Sequence, residues 1–412
     1  MTYLRKGNRD LIKEINRNLV LNLIKSRGPV SRTEIARLSG LSPATISGIS
    51  ADFITAGLVH EMGEGESTGG RRPVLLRLNQ QAGFVVGVKL MEHAVTSALT
   101  DLDANVLHHR VTPLEHARDF SAVLEAIVRA IEMTIEESEV DWARVLGIGI
   151  GMAGVIRGEA GLCHYSPFFG WRDVKVAEPI EAHFALPVYI DNDVNTLTIA
   201  EQWFGYGHGV DDFVVVTVGR GIGAGIVVNG QFYRGALGGA GEFGHITLAR
   251  EGPLCDCGKR GCLEALASDP AVLRMVRERI TTGEETALAG VGALTLKDVI
   301  CAAESGDQVA REALAYSGRW LGVGVANLVN ILNPQLVIVA GEGVQAGEYR
   351  FEAMREAIQI HTFDGLAEEL KIVIEPSGDE TWARGAASLV LGEIFKHPLY
   401  RNERIDLVAS MA

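Results

Sequence analysis

The chain has 412 residues, 47% of them hydrophobic and 22% charged, with a net charge of −14. That length exceeds what one hydrophobic core supports and predicts two or three domains of ordinary globular composition. No apolar run approaches the ~20 residues of a membrane span, and the opening MTYLRKGNRD lacks the apolar core of a signal peptide, so the expected setting is a reducing cytoplasm without membrane attachment.

The charge is unevenly spread. Residues 1–78 carry 12 Lys and Arg against 7 Asp and Glu, a net of +5, which leaves −19 on the remaining 334. An acidic body repels a phosphate backbone, so any nucleic-acid contact must come from the first part. A first helix is predicted from about Asn8 to Arg27, with Ile12, Ile15, Leu19 and Leu23 as its apolar face and Gly28-Pro29 as its stop. Ser31-Arg32-Thr33-Glu34 has the form of a capping box and starts a short helix that ends near Gly40. Ser42-Pro43 then caps a third helix, in which Ile46, Ile49 and Phe53 face inward while Ala44, Thr45, Ser47 and Gly48 face outward.

Two short helices joined at a glycine after a longer one match a helix-turn-helix. Leu58 to Leu78 reads as a β-hairpin wing whose Gly-rich tip carries Arg71 and Arg72, suited to a minor groove. The expected DNA contacts are Ser42, Ala44, Thr45, Ser47 and Gly48, with Arg71 and Arg72 on the wing. None of the outward residues of the third helix is Arg, Asn or Gln, so base readout there is modest. The competing reading of this segment is a helical bundle that binds protein.

From about Asn79 the pattern becomes apolar strands alternating with helices. FVVGVKL at 84–90 and FVVVTVG at 213–219 are alike, and each is followed by a second apolar strand and a turn. This is a weak internal duplication of the kind that gives two similar α/β lobes. Strands also end in glycine or acidic residues at VLGIGIGMAG, PVYIDNDVN and QLVIVAGEG, the edge where α/β proteins hold ligands.

The stretch GEFGH followed by CDCGKRGCLE resembles the zinc and sugar signature of the ROK family of bacterial sugar kinases and sugar-responsive repressors. The resemblance implies an α/β body of the actin/hexokinase-like (RNase H-like) type with two lobes. With an N-terminal winged helix-turn-helix, it matches the arrangement of the family's repressors, which include regulators of xylose and glucose-related genes. The expected division is a winged helix-turn-helix domain over 1–78, a first lobe over 79–196 onto which the C-terminal helices pack back, and a second lobe over 197–412 with the zinc loop and an oligomerisation surface.

His245, Cys255, Cys257 and Cys262 supply one nitrogen and three sulfurs, a set that closes a tetrahedral, structural Zn²⁺ site. Cys163 and Cys301 lie in apolar surroundings and read as core residues. The resemblance implies that Glu242, His245 and Glu264 contact a sugar together with Asn192 and Asp193, with Asp193 the general base in a kinase. His245 can serve both the metal and a hydroxyl, one ring nitrogen to each.

The nucleotide loops of the family are altered. Where the family reads D-x-G-G-T, this chain has Lys89, Met91, Glu92 and His93; its G-T-G loop is Gly219-Arg220-Gly221; and Glu342 stands between Gly341 and Gly343. Bulk and negative charge at phosphate-facing positions argue against ATP and against an enzyme. The expected function is a sugar-responsive repressor, a homodimer or homotetramer that binds a double-stranded operator, with a monosaccharide between the lobes and the Asn79–Gly83 linker transmitting closure. The alternatives are a sugar kinase carrying a DNA-binding head and a repressor controlled by a protein partner.

Overall fold

The structure, a computed structural model, describes residues 9–64, 72–115, 118–375 and 378–396. Arg71 falls outside the described residues; Arg72 is exposed.

The N-terminal unit begins with α1 (Arg9–Arg27), β1 (Val30–Ser31), α2 (Arg32–Ser39) and α3 (Pro43–Thr55). The Ser31 side chain accepts from the Glu34 amide, but the Glu34 carboxylate turns to Arg37, so only half of the predicted capping box forms. Gly40 ends α2 at φ +70°, and Ser42 with Pro43 opens α3. β2 (Val59–Glu64) and β3 (Val74–Leu78) pair antiparallel, and β1 completes a sheet of order β1-β3-β2. Ile46, Ile49 and Phe53 of α3 are buried with Val20, Leu21, Ile24, Ile35 and Leu76 in one core. Each such side chain contributes roughly 1.5–3 kcal/mol when fully removed from water.

α1 departs from the expected stripe. Ile12 is 57% exposed and Leu19 37%, while Leu11, Asn18, Val20, Leu21 and Ile24 are buried. The helix lies between the other elements of its own unit and the C-terminal end of the chain, where Asn18 and Asn22 donate to the Phe395 carbonyl. A helix with two neighbours buries two stripes, and a single-face reading misplaces both.

The body continues with β4 (Phe84–Leu90), β5 (Ala94–Thr100), β6 (Val106–Pro113), α4 (Phe120–Ser138), β7 (Val145–Met152), β8 (Val155–Arg157), β9 (Leu162–Ser166), β10 (Trp171–Lys175), α5 (Ala177–Phe184), β11 (Val188–Asn192) and α6 (Asp193–Phe204). It then runs through β12 (Phe213–Val218), β13 (Ile222–Val228), β14 (Gln231–Phe232), α7 (Leu263–Ala267), α8 (Asp269–Thr281), α9 (Leu296–Glu304), α10 (Gln308–Leu332), β15 (Leu336–Ala340), α11 (Glu348–His361), β16 (Lys371–Ile374) and α12 (Asp379–Phe395).

The two five-stranded sheets, β11-β7-β4-β5-β6 and β14-β13-β12-β15-β16, have the same plan. In each, the first strand is flanked by a parallel pair on one side and an antiparallel pair on the other. The duplication seen in FVVGVKL and FVVVTVG is therefore a repeat of topology, with β4 and β12 as the equivalent central strands.

α12 lies directly on the first sheet. A Cβ on Gly87 of β4 would overlap the Ala383 carbonyl oxygen, and one on Gly149 of β7 would overlap that of Ala386. Glycine at both positions lets helix and sheet backbones touch. Cys163 is buried as expected, but Cys301 is exposed. α9 turns Val299, Ala302 and Ala303 inward instead, and 301 falls on its outer face. Among the described residues no helix is long and apolar enough to cross a membrane.

Candidate functional site

The carboxyl ends of β4, β11, β12 and β15 converge between the two sheets, and the residues singled out from the sequence lie there. Asn192 ends β11 and caps α6: its Oδ1 accepts from the Val194 amide at 2.9 Å, and its Nδ2 donates to the Gly154 carbonyl at 3.0 Å. Asp193 follows at the first turn of α6, where the helix N-terminus favours a negative charge.

The opposite wall comes from the second half of the chain. Glu242 begins a short 3-10 turn, Phe243–His245, which presents His245 between two sets of partners. Its Nδ1 is 3.6 Å from Cys255 Sγ and its Nε2 is 4.0 Å from a Glu242 oxygen. Cys257 Sγ and Cys262 Sγ are 3.7 Å apart. The ligand atoms of His245, Cys255, Cys257 and Cys262 all lie within 4.8 Å of one another, a cluster able to hold a metal ion. Glu264 opens α7 beside it, and its Oε2 accepts from the Ile222 amide at 3.1 Å. Burial raises the Glu242 carboxyl above its ordinary range; the His245 charge opposes this, and the Glu264 and Asp193 carboxylates add to it. Electrostatically, then, the two walls share one space.

The other side of the same space is filled by pairs. Lys89, nearly buried at the end of β4, gives its ammonium to Asp193 and sits 4.0 Å from the centre of the Trp382 ring of α12. The Glu342 carboxylate lies over Gly219, where a Cβ would overlap it. Burial raises the Glu342 carboxyl, with the Lys89 charge pulling it down and Asp193 and Asp269 pushing it up. The Glu342 residue is open to solvent along one side while the protein crowds its carboxylate, which accounts for a desolvation effect on an exposed residue. Behind it, fully buried Arg350 holds the Gly341–Gly343 turn, with Nη1 to the Gly343 carbonyl and Nη2 to Asp269, both at 2.8 Å. Arg220 faces Glu92 at 3.8 Å and Asp256 at 3.6 Å and stacks on Phe168 at 5.2 Å. Met91 is half-buried and His93 exposed in the β4–β5 turn.

Several of these contacts carried no signal in the sequence. Trp382 lies about 290 positions from Lys89, and nothing local links them. Arg234 grips buried Asp191 at 2.9 Å, joining the segment after β14 to the end of β11. Asp191, the first Asp of IDNDVN, also accepts from Asn195 Nδ2 at 2.8 Å, so its carboxylate is engaged within the fold.

In the N-terminal unit, Ser42, Ala44, Ser47 and Gly48 are exposed on one face of α3. Thr45 is half-buried, its hydroxyl 2.8 Å from that of Ser42. A groove between α1 and α3 is lined by Arg9, Lys13 and Asn16 on one side and Ala44, Thr45 and Gly48 on the other.

Comparison with known proteins sets this geometry in context. The sequence profile of the ROK family matches residues 85–393. A xylose repressor from Caldicellulosiruptor bescii is 35% identical over 397 residues, covering 96% of this chain and all of that protein. A crystal structure of a ROK family transcriptional regulator, a homolog of the Escherichia coli MLC protein, superposes with a TM-score of 0.84 at 31% identity, covering 95% of this chain and 98% of the other. A ROK family glucokinase from Streptomyces griseus, in complex with glucose and AMPPNP, superposes with a TM-score of 0.68 at 29% identity, covering 74% of this chain and 99% of the other.

Proposed function

The chain belongs to the ROK family, and on that premise we propose that it is a sugar-responsive, DNA-binding transcriptional repressor of carbohydrate-utilisation genes without kinase activity. The observation that carries this reading is the Lys89–Asp193 ion pair. A kinase needs the carboxylate at 193 free to take a hydroxyl proton and needs open glycine loops for phosphates. Here the carboxylate already has a buried ammonium as partner, and Glu342 stands over Gly219. Coverage supports the same reading: the regulator spans 95% of the chain and the glucokinase 74%.

The sugar contacts in this reading are Asn192, Asp193, Glu242, His245 and Glu264, acceptors and donors that suit pyranose hydroxyls. The effector is an uncharged monosaccharide, because the cleft is rich in carboxylates and its exposed cation, Arg220, faces Glu92 and Asp256. The metal is a structural Zn²⁺ held by His245, Cys255, Cys257 and Cys262. A tetrahedron with Zn–S of ~2.3 Å and Zn–N of ~2.0 Å has S–S and S–N edges of about 3.8 and 3.5 Å. The pairs at 3.7 and 3.6 Å match those edges. With four protein ligands the ion ties the 245–262 loop and thereby fixes Glu242 and Glu264; it supplies no reactive water.

Residues 1–78 act as a winged helix-turn-helix, with Ser42, Ala44, Thr45, Ser47 and Gly48 toward the major groove and Arg71 and Arg72 toward the minor groove. The first lobe spans 79–196, with the C-terminal helix α12 packed back on it, and the second lobe is drawn from 197–412. A cytoplasmic homodimer or homotetramer sets two heads on a palindromic operator. Sugar bridging the two walls favours one lobe arrangement, and the difference in affinity between arrangements drives the response.

The test is a thermal-melting series with D-xylose, D-glucose and N-acetyl-D-glucosamine, each with and without Mg-ATP. The expected result is stabilisation by one sugar, indifferent to ATP; saturation at about 100 times Kd stabilises by about 2.7 kcal/mol. Sugar-dependent release of ADP in the same wells makes the protein a kinase and overturns the reading.

A further inference from the structure

Two lysines, Lys89 and Lys25, terminate the same pair of helices at opposite ends. At one end, Lys89 meets Asp193, the first residue of α6, and Trp382, near the start of α12. At the other end, the Lys25 ammonium lies 4.5 Å from the rings of Trp203 and Phe204, the last two residues of α6, and 4.0 Å from Phe395, the last residue of α12. Lys25 belongs to α1, in the N-terminal unit. Among the described residues its buried Nζ has no hydrogen-bond partner, and burial lowers its pKa to about 8, opposed by the charge of Asp103. Three aromatic faces are thus its main partners, and cation–π attraction is stronger where water is excluded.

The two helices are packed directly on each other. α6 is 12 residues and α12 is 17, so they span about 18 and 25 Å. A Cβ on Gly385 of α12 would stand 3.1 Å from the Leu197 amide nitrogen of α6, so the helices touch backbone to backbone. α12 also connects to α1 by hydrogen bonds: Asn18 Nδ2 donates to the Lys396 carbonyl at 3.0 Å and Asn22 Nδ2 to the Phe395 carbonyl at 2.9 Å. From α1 the path continues to α3, where Arg17 pairs with Asp52 at 2.6 Å and stacks on Phe53 at 5.2 Å.

We propose that α6 and α12 form a lever that carries sugar occupancy at Asn192 and Asp193 to the DNA-binding unit through the aromatic cage around Lys25, an inference that rests on the repressor reading above. A ligand on the α6 N-terminus competes with Lys89 for Asp193 and resets the tilt of the pair. Because the far end grips α1 on three rings and two asparagines, that tilt moves α3 relative to the body. The Asn79–Gly83 linker then serves as a pivot: Asn79 holds the Gly57 carbonyl at 2.8 Å while the lever does the transmitting.

The experiment uses the full chain, a duplex that the wild type selects from a random-sequence pool, and the same three sugars. Duplex affinity is measured with and without sugar for wild type, Lys25→Met and Asn22→Ala, and melting with sugar is followed in parallel. The expected result is that both variants keep the sugar-induced melting shift and bind the sugar-free duplex within about 3-fold of wild type. The sugar effect on duplex affinity, roughly 5- to 150-fold for such couplings, falls below about 2-fold. If Lys25→Met fails to fold, Asn22→Ala, which removes two half-buried hydrogen bonds, to the Phe395 carbonyl and to Asn18 Oδ1, decides alone. Variants that respond to sugar by the full wild-type factor overturn the lever and leave the repressor reading intact. A wild type that no sugar stabilises, and whose duplex binding no sugar alters, overturns both.

Discussion

Two sides of one cleft differ in how their polar groups are engaged. On the side of the proposed sugar contacts, Asn192, Glu242, His245 and Glu264 are fixed from behind by a helix cap, a 3-10 turn, a cysteine cluster and a backbone amide. On the other side, Lys89 faces Glu342 and the Asp193 carboxylate that the proposed sugar set shares, and Arg220 faces Glu92, so charge is compensated inside the protein. The Glu342 carboxylate crowds the turn at Gly219, and each charged group on that side has an internal partner. Retaining a ligand site, by contrast, requires polar groups whose backbone supports are satisfied while their outer faces stay free.

The comparison breaks most violently if the cysteine cluster is emptied. Stripping metal with a chelator, or replacing Cys262 with Ser, should cost more than about 4 kcal/mol, because loss of a structural metal belongs among the largest single changes known. Metal analysis should return one zinc per chain before treatment, and denaturant melts should show the loss; an untouched midpoint would separate the sugar wall from any metal.

Next in size, Lys89→Met leaves Asp193 and Glu342 without their shared cation. Breaking a buried pair from one side costs about 3–5 kcal/mol, and adding Asp193→Asn should recover part of it. A double-mutant cycle by urea unfolding reads the coupling, and additive losses would show that the pair does not hold its side of the cleft shut.

A smaller effect is expected at Glu242, whose side chain is 47% exposed and bonded to little else. Glu242→Gln should leave the sugar-free melting point in place while weakening sugar binding about 10- to 100-fold, the worth of one charged hydrogen bond. Calorimetric titration with the stabilising sugar checks this, and an unchanged Kd would remove Glu242 from the wall.

A further effect, confined to pH dependence, lies away from the cleft. Burial and the neighbouring Glu201 carboxylate raise Glu375 from 4.5 to about 7. Its folded value is above its unfolded one, so the native state holds the proton more tightly. The resulting stability is full below pH 4.5 and is lost as pH rises through about 7. Glu375→Gln should flatten that decline in melts across the same range, with no change in sugar affinity; a decline of wild-type steepness in the variant would place the titrating group elsewhere.

The sequence by itself determined the elements whose cause is local. Ser42-Pro43 caps α3 because a hydroxyl and a fixed φ act within one turn, and FVVGVKL is β4 to the residue because a strand buried on both faces is a nearly continuous apolar run, broken here only by Lys89. The cluster of His245, Cys255, Cys257 and Cys262, able to hold a metal ion, was legible for a similar reason: its three cysteines recur at short spacing along one loop. The altered phosphate positions were visible as wrong residues, yet what those residues do was not. Only the tertiary structure put Lys89 against Asp193 and Trp382, turned Ile12 and Leu19 outward, left Cys301 on the surface, and brought Lys25 to Phe395 from the far end of the chain. These outcomes depend on which distant segment covers which surface, and no periodicity along a single segment encodes that.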